Sequence, residues 1–145
     1  PNSGTNETYR IDQWDPAMAE YLKILKESDK IVVFVGDMNV CHHEIDIFSG
    51  FPADSTRIAG LLPEERAGFD RIISEGFVDS YRALYPDEDE AFTWWNQRIK
   101  SFRAANKGWR LDYALVTQPH TDMIKGAGCL PNVYGSDHCP VFVEL

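Results

Sequence analysis

Three polar sets in this sequence sit where they could do chemistry together. Asp37 and Asn39 lie two apart in Gly36-Asp37-Met38-Asn39, directly after an apolar run. Asp112 lies in Gly108-Trp109-Arg110-Leu111-Asp112-Tyr113, and Asp137 precedes His138 in Gly135-Ser136-Asp137-His138-Cys139-Pro140. Each adjoins a predicted strand, and the rim of a sheet is a common ligand site in α/β proteins. Gathered at one rim, they would supply a base, a divalent-cation ligand and an imidazole held by a carboxylate. That equipment suits metal-assisted phosphodiester hydrolysis. A hard cation with oxygen ligands neutralises the phosphate, an acid activates water, and a His or Asn stabilises the developing charge. Taken singly, each set also reads as a cap or turn, because Gly, Asp and Asn are common turn formers. The sequence does not establish that the three meet.

The elements that must position them are legible in outline. A first helix begins near Asp12 or Asp15, with Pro16 in its first turn and Trp14, Met18, Tyr21, Leu22 and Leu25 at helical spacing. The unbroken apolar run 31–35 predicts a strand buried on both faces. Cys41-His42-His43-Glu44 invites a metal reading, but no usual zinc spacing is present, and a loop or single helical turn is expected. Residues 48–60 read as loop. Pro63-Glu64-Glu65-Arg66 opens a second helix whose buried side is Phe69, Ile72 and Ile73, stopped by Gly76. Phe92 to Trp95 predicts a short strand, 96–107 a basic loop, 109–116 a second central strand, 124–130 a weak strand and 141–145 a last one.

Composition bounds the classes. The 145 residues suffice for one compact core, and 43% hydrophobic with 26% charged residues is an ordinary globular balance. No apolar run approaches the roughly 20 residues of a membrane span, so no membrane partner is expected. A net charge of −9 argues against a protein that simply coats nucleic acid. The segment from Phe92 to Tyr113 is locally different, with Arg98, Lys100, Arg103, Lys107 and Arg110 against Asp112 alone. Such a segment can meet a phosphate backbone. Three cysteines without metal spacing predict reduced thiols. The opening Pro1-Asn2-Ser3-Gly4 reads as a loop from within a longer protein.

Taken together, these motifs resemble the endonuclease/exonuclease/phosphatase superfamily. Within it they resemble the exonuclease III-like apurinic/apyrimidinic (AP) endonucleases of base-excision repair. Gly36-Asp37-Met38-Asn39 and Ser136-Asp137-His138-Cys139-Pro140-Val141 carry the superfamily likeness. The narrower marks are Pro63-Glu64-Glu65-Arg66, Asp79-Ser80-Tyr81-Arg82, Leu84-Tyr85-Pro86, Phe92-Thr93-Trp94-Trp95 and Gly108-Trp109-Arg110-Leu111-Asp112-Tyr113, the last looking more eukaryotic than bacterial. The resemblance implies half of a four-layer αββα sandwich, an α/β fold with a mixed sheet and outer helices. Residues 1–145 would be the C-terminal part of a single domain.

The resemblance also implies roles. Asp37 would activate or orient water, Asn39 would hold water and phosphate, and His138 would contact the scissile phosphate with Asp112 orienting it. Asp137 and His138, with Asp37, would lie near Mg2+ or Mn2+. Asn2 would contact phosphate, Trp94, Trp109 and Leu111 would line a pocket for a flipped-out baseless sugar, and Arg98 would contribute from the basic loop. A tight apolar cavity can admit a sugar without a base and exclude a normal nucleotide by size. The implied substrate is abasic double-stranded DNA, cut 5′ to the lesion with possible 3′-end trimming, and the implied compartment is the nucleus or mitochondrion. Two departures accompany this. The N-terminal half, with the principal metal-binding Glu and a catalytic Tyr, is not in this chain, so activity is expected to need it. Ser55-Thr56-Arg57 replaces asparagines that meet DNA in many relatives. The rival expectations are another superfamily phosphoesterase, separable by comparing abasic duplex with inositol phosphates, and a non-catalytic binding module.

Overall fold

A computed structural model describes residues 7–28, 30–51 and 58–145. A turn of helix, α1 (Glu7–Tyr9), and a π-helical stretch Arg10–Trp14 lead into α2 (Asp15–Lys26), which carries Pro16 in its first turn. The chain then forms β1 (Val33–Asp37), a 3-10 turn at Glu44–Asp46, α3 (Pro63–Ser74), β2 (Phe77–Asp79) and α4 (Ser80–Leu84). The second half contributes α5 (Ser101–Ala104), β3 (Asp112–Thr117), a 3-10 segment Gln118–Met123, β4 (Gly126–Cys129) and β5 (Val141–Glu144). Among the described residues no helix is long and apolar enough to cross a membrane.

The sheet order is β1-β3-β2, with β3 antiparallel to both neighbours, and β4 and β5 form a second antiparallel pair. A mixed sheet was the expectation, yet every named ladder among the described residues is antiparallel. The reason is topological: β1 and β2 point the same way but are separated by β3, so they never pair directly. The other expected elements form with shifts: the run 31–35 yields a strand at Val33–Asp37, 109–116 one at Asp112–Thr117, and the expected loop 96–107 holds the short helix α5. Phe92 to Trp95 makes no full strand, only isolated bridges from Trp94 to Trp109 and to His138.

One face of the sheet carries the core. Ala19 and Leu22 of α2 and Phe69 and Ile72 of α3 pack on Phe77, Tyr113 and Leu115, with Val32 and Phe34 against them. Tyr21, expected on the buried side of α2, is 56% exposed because Met18, Leu22 and Leu25 already fill that stripe. The larger correction concerns β1. The run 31–35 is not buried on both faces: Ile31, Val33 and Val35 are 37%, 38% and 55% exposed. Side chains alternate along a strand, so one face meets the core and the other lies open in this chain.

Candidate active site

The site is built where β1 ends and β3 begins. Asp37 and Asp112 are register partners across this antiparallel pair. Gly36 ahead of Asp37 has φ +146, a conformation that a side chain would strain. The turn then closes on Asp37 itself, which accepts hydrogen bonds from the Asn39 backbone N–H at 2.8 Å and the Asn39 Nδ2 at 2.7 Å. Asn39 sits at φ 49, where asparagine is among the better tolerated residues. The Asp-x-Asn spacing is thus an Asx-type turn whose donors also dress a carboxylate. A buried arginine holds this corner from beneath. Arg10 Nη1 donates to the Asn39 carbonyl and Nη2 to the Met38 carbonyl, both at 2.8 Å, while Nη1 also reaches Glu65 Oε1 at 3.2 Å. Glu65 in turn accepts the Gly60 and Leu62 backbone N–H groups.

The start of β3 is fixed by Thr93, whose hydroxyl oxygen accepts the Leu111 N–H at 2.9 Å and the Asp112 N–H at 3.1 Å. Asp112 Oδ2 then lies 2.9 Å from His138 Nδ1. One atom each from Asp37, Asp112 and His138 falls within a 4.8 Å group that could hold a metal ion. Two carboxylates facing across a ladder repel, and a cation or a protonated imidazole relieves that repulsion. Electrostatics agree with the geometry. Burial raises the Asp37 carboxyl above its ordinary value, the Asn39 N–H opposes this, and the Asp112 charge adds to it. The hydrogen bond to Asp112 raises His138, against the opposing effect of burial. The two carboxylates are the oxygen ligands that a hard divalent cation takes, with the imidazole beside them held by Asp112.

Asp137 is placed differently. Its Oδ2 accepts the Trp94 indole N–H at 3.0 Å, and it lies outside the 4.8 Å group. Trp94, Trp109, Phe48, Phe51, Ile58 and Phe102 line a neighbouring cavity of about 320 Å³. Phe51 meets Trp109 edge-on at 5.0 Å, and Trp94 lies 5.3 Å from Trp109. Gly108 permits this wall, because a Cβ there would meet the Trp94 carbonyl at 2.5 Å and the Trp95 indole at 2.6 Å. Leu111 does not line the cavity. It is 5% exposed and packs below it with Cys41, Ile47, Leu61 and Trp109. Arg98 is exposed on the turn after Asn96. Asn2 and Ser55-Thr56-Arg57 lie outside the described residues.

Several supporting residues carried no sequence signal for the site. Arg10 and Glu65 hold the Asp37 corner from below, although Glu65 read only as a first-turn acid. Phe48 and Phe51 fell in a stretch read as plain loop. The Phe-x-x-Phe spacing inside it was the available clue. Asp79 and Arg82 were flagged within a motif without a role. In the structure Asp79 caps α4 and joins Arg110, Asp46 and Arg82 in a buried ionic network, with Arg110 Nη2 to Asp79 at 2.6 Å and Arg82 Nη2 to Asp46 at 2.6 Å.

A sheet rim carrying two acids and an oriented imidazole thus lies beside an apolar cavity. The chain belongs to the Endonuclease/Exonuclease/phosphatase family, whose profile matches residues 1–138. It is 41% identical over 133 residues to an exodeoxyribonuclease of Bacillus subtilis, covering 92% of this chain and 51% of that protein. It is 38% identical over 150 residues to a DNA-(apurinic or apyrimidinic site) endonuclease of Dictyostelium discoideum, covering all of this chain and 40% of that protein. Overall identity to these bacterial and eukaryotic relatives is thus similar. The fold superposes on an AP endonuclease of Leishmania major with a TM-score of 0.88 at 33% identity, covering 96% of this chain and 44% of that structure. The chain spans about half the length of the curated relatives it matches.

Proposed function

We propose that this chain is part of a DNA-repair nuclease that hydrolyses the phosphodiester on the 5′ side of an abasic site in duplex DNA. The observation that carries this reading is the convergence of Asp37, Asp112 and His138 beside the cavity walled by Trp94 and Trp109. Asp37 takes the proton of the attacking water or orients it, and Asn39 fixes the carboxylate that does so. Asp112 holds His138 by Nδ1, so the second ring nitrogen is the one available to the scissile phosphate. Asp37 and Asp112 would hold Mg2+ beside His138, and the ion when bound would supply positive charge to the phosphate oxygens. Further ligands are assigned to the phosphate, to water and to an acid outside this chain. Trp94 and Trp109 take the baseless sugar, and Asp137 steadies Trp94.

The products expected of this chemistry are a 3′-hydroxyl and a 5′-deoxyribose phosphate. A second activity, 3′-end trimming, is favoured by the exodeoxyribonuclease relatives, because an end-frayed terminal nucleotide presents the same phosphodiester to the same rim. The open apolar face of β1 supports a further part of the reading, namely that another layer of the same protein covers it and completes the site. The free thiols Cys41, Cys129 and Cys139 fit a reducing compartment such as the nucleus. The test uses the full-length protein with Mg2+ and a duplex carrying one abasic analogue, set against an intact duplex and an inositol phosphate. Cleavage 5′ to the lesion supports the proposal. Turnover of the inositol phosphate without cleavage of the duplex overturns it.

A further inference from the structure

The basic segment 96–107 reads in the sequence as a set of cations for the DNA backbone, yet one of them is used inside the protein. Arg103, on α5, turns its guanidinium onto the loop that carries Asp137 and His138. Its Nε and Nη2 donate to the Pro131 carbonyl at 3.3 and 2.9 Å, and Nη2 also to the Val133 carbonyl at 2.7 Å. Its Nη1 donates to the Ser136 carbonyl at 2.7 Å and approaches the His138 carbonyl at 3.5 Å. The guanidinium carbon lies 4.6 Å from the ring centres of both Trp95 and Tyr134.

All three guanidinium nitrogens are therefore engaged, by four carbonyls of one loop. No backbone N–H in the described hydrogen bonds reaches those four carbonyls. The end of the loop is also tied by Trp95 N–H to the Asp137 carbonyl, by Cys139 N–H to the Thr93 carbonyl, and by the side-chain bonds of Asp137 with Trp94 and His138 with Asp112. A planar fork of donors can serve several carbonyls at once, whereas an ammonium is a compact point charge. A cation waiting for phosphate would keep its donors turned to water.

We propose that Arg103 is a positioning residue that fixes the 131–138 loop, and with it Asp137 and His138, rather than a ligand for the DNA backbone. The inference rests on the functional reading above and adds a specific division of labour within the basic segment. Exposed Arg98 and Lys100 remain available to solvent and to phosphate, while Arg103 couples the segment to the catalytic loop.

The experiment compares Arg103→Met and Arg103→Lys with the wild type in the full-length protein on an abasic duplex. Both variants are expected to lose kcat on the order of tenfold or more with KM little changed, as misplacement of a reacting group predicts. The salt dependence of DNA binding should keep its slope, whereas loss of one phosphate contact would lower it by about 0.9. Hydrogen exchange at the backbone amides of 133–139 should quicken in both variants while the β-strand amides stay protected. A slope reduced by about 0.9 with unchanged kcat and exchange would make Arg103 a phosphate ligand and overturn the proposal. Unchanged slope, kcat and exchange together would overturn it as well. Should the wild type not cut abasic DNA, the functional reading fails while the exchange result still decides the clamp. Should Arg103→Met not fold, Arg103→Lys decides the question alone.

Discussion

Two clusters of charged side chains lie within this small chain, and they are built on opposite principles. In the Asp46, Asp79, Arg82 and Arg110 network, two acids meet two arginines. Asp46 is fully buried, and its carboxylate accepts Arg110 Nε at 2.8 Å and Arg82 Nη2 at 2.6 Å. Burial alone would raise the Asp46 pKa, but the Arg110 charge and the arginine hydrogen bonds hold it below the ordinary carboxylate value. At the rim, two acids meet one imidazole, and both Asp112 and His138 are only part-buried. The first cluster is neutral and closed. The second is left short of positive charge and open to one side. Charge matched and buried locks a structure, and charge left unmatched at an accessible rim is available to a substrate or cation.

The comparison can be broken most sharply at the rim. Asp37→Asn or His138→Asn in the full-length protein is expected to lower cleavage of abasic duplex on the order of a hundredfold or more. Chemical denaturation should meanwhile show little loss of stability, and a normal cutting rate would remove both residues from the mechanism. Arg110→Met should do the reverse. It leaves buried Asp79 without its arginine and Asp46 with Arg82 alone, so a loss of about 3–5 kcal/mol in urea unfolding is expected. A loss below about 1 kcal/mol, the range of exposed pairs, would mean that the network does not lock the fold.

The two clusters should also separate by pH. His138 has a raised folded-state pKa, so its pairing with Asp112 contributes stability below the unfolded imidazole value and loses it as pH rises through the folded one. Asp46 has a lowered folded-state pKa, so its contribution is present above the unfolded carboxylate value and is lost as pH falls through the folded one. NMR titration should place the His138 midpoint above that of a free imidazole, and Asp112→Asn should bring it down. An unmoved midpoint would detach Asp112 from the imidazole. The smallest effect belongs to the link between rim and cavity. Trp94→Phe keeps a ring in the wall but removes the donor to Asp137, for about 1 kcal/mol of stability and a rise in the Asp137 pKa.

Much of the rim was legible because it rests on local rules. Gly36-Asp37-Met38-Asn39 follows an apolar strand, and its turn chemistry acts over three residues. The pocket aromatics Trp94 and Trp109 stood in recognisable motifs. What the sequence misjudged was reach. Leu111 sits beneath the cavity rather than in its wall, because alternation along 109–111 does not say how deep each side chain lies. Ile31, Val33 and Val35 looked buried because an apolar run is silent about what covers its second face. Arg103 looked like a surface cation because its partners are carbonyls about 30 residues away, and carbonyls carry no side-chain signature.

The sequence by itself singled out the polar residues of the rim, the strands next to them and the family to which the chain belongs. Tertiary structure alone decided that Asp37 stands opposite Asp112, that His138 is held by its Nδ1, and that Arg10, Thr93 and Arg103 brace the rim. The physical reason is range. Turn, cap and alternation preferences act within a few residues, whereas the register of β1 on β3 and every hydrogen bond across the site join segments that only the folded core brings together.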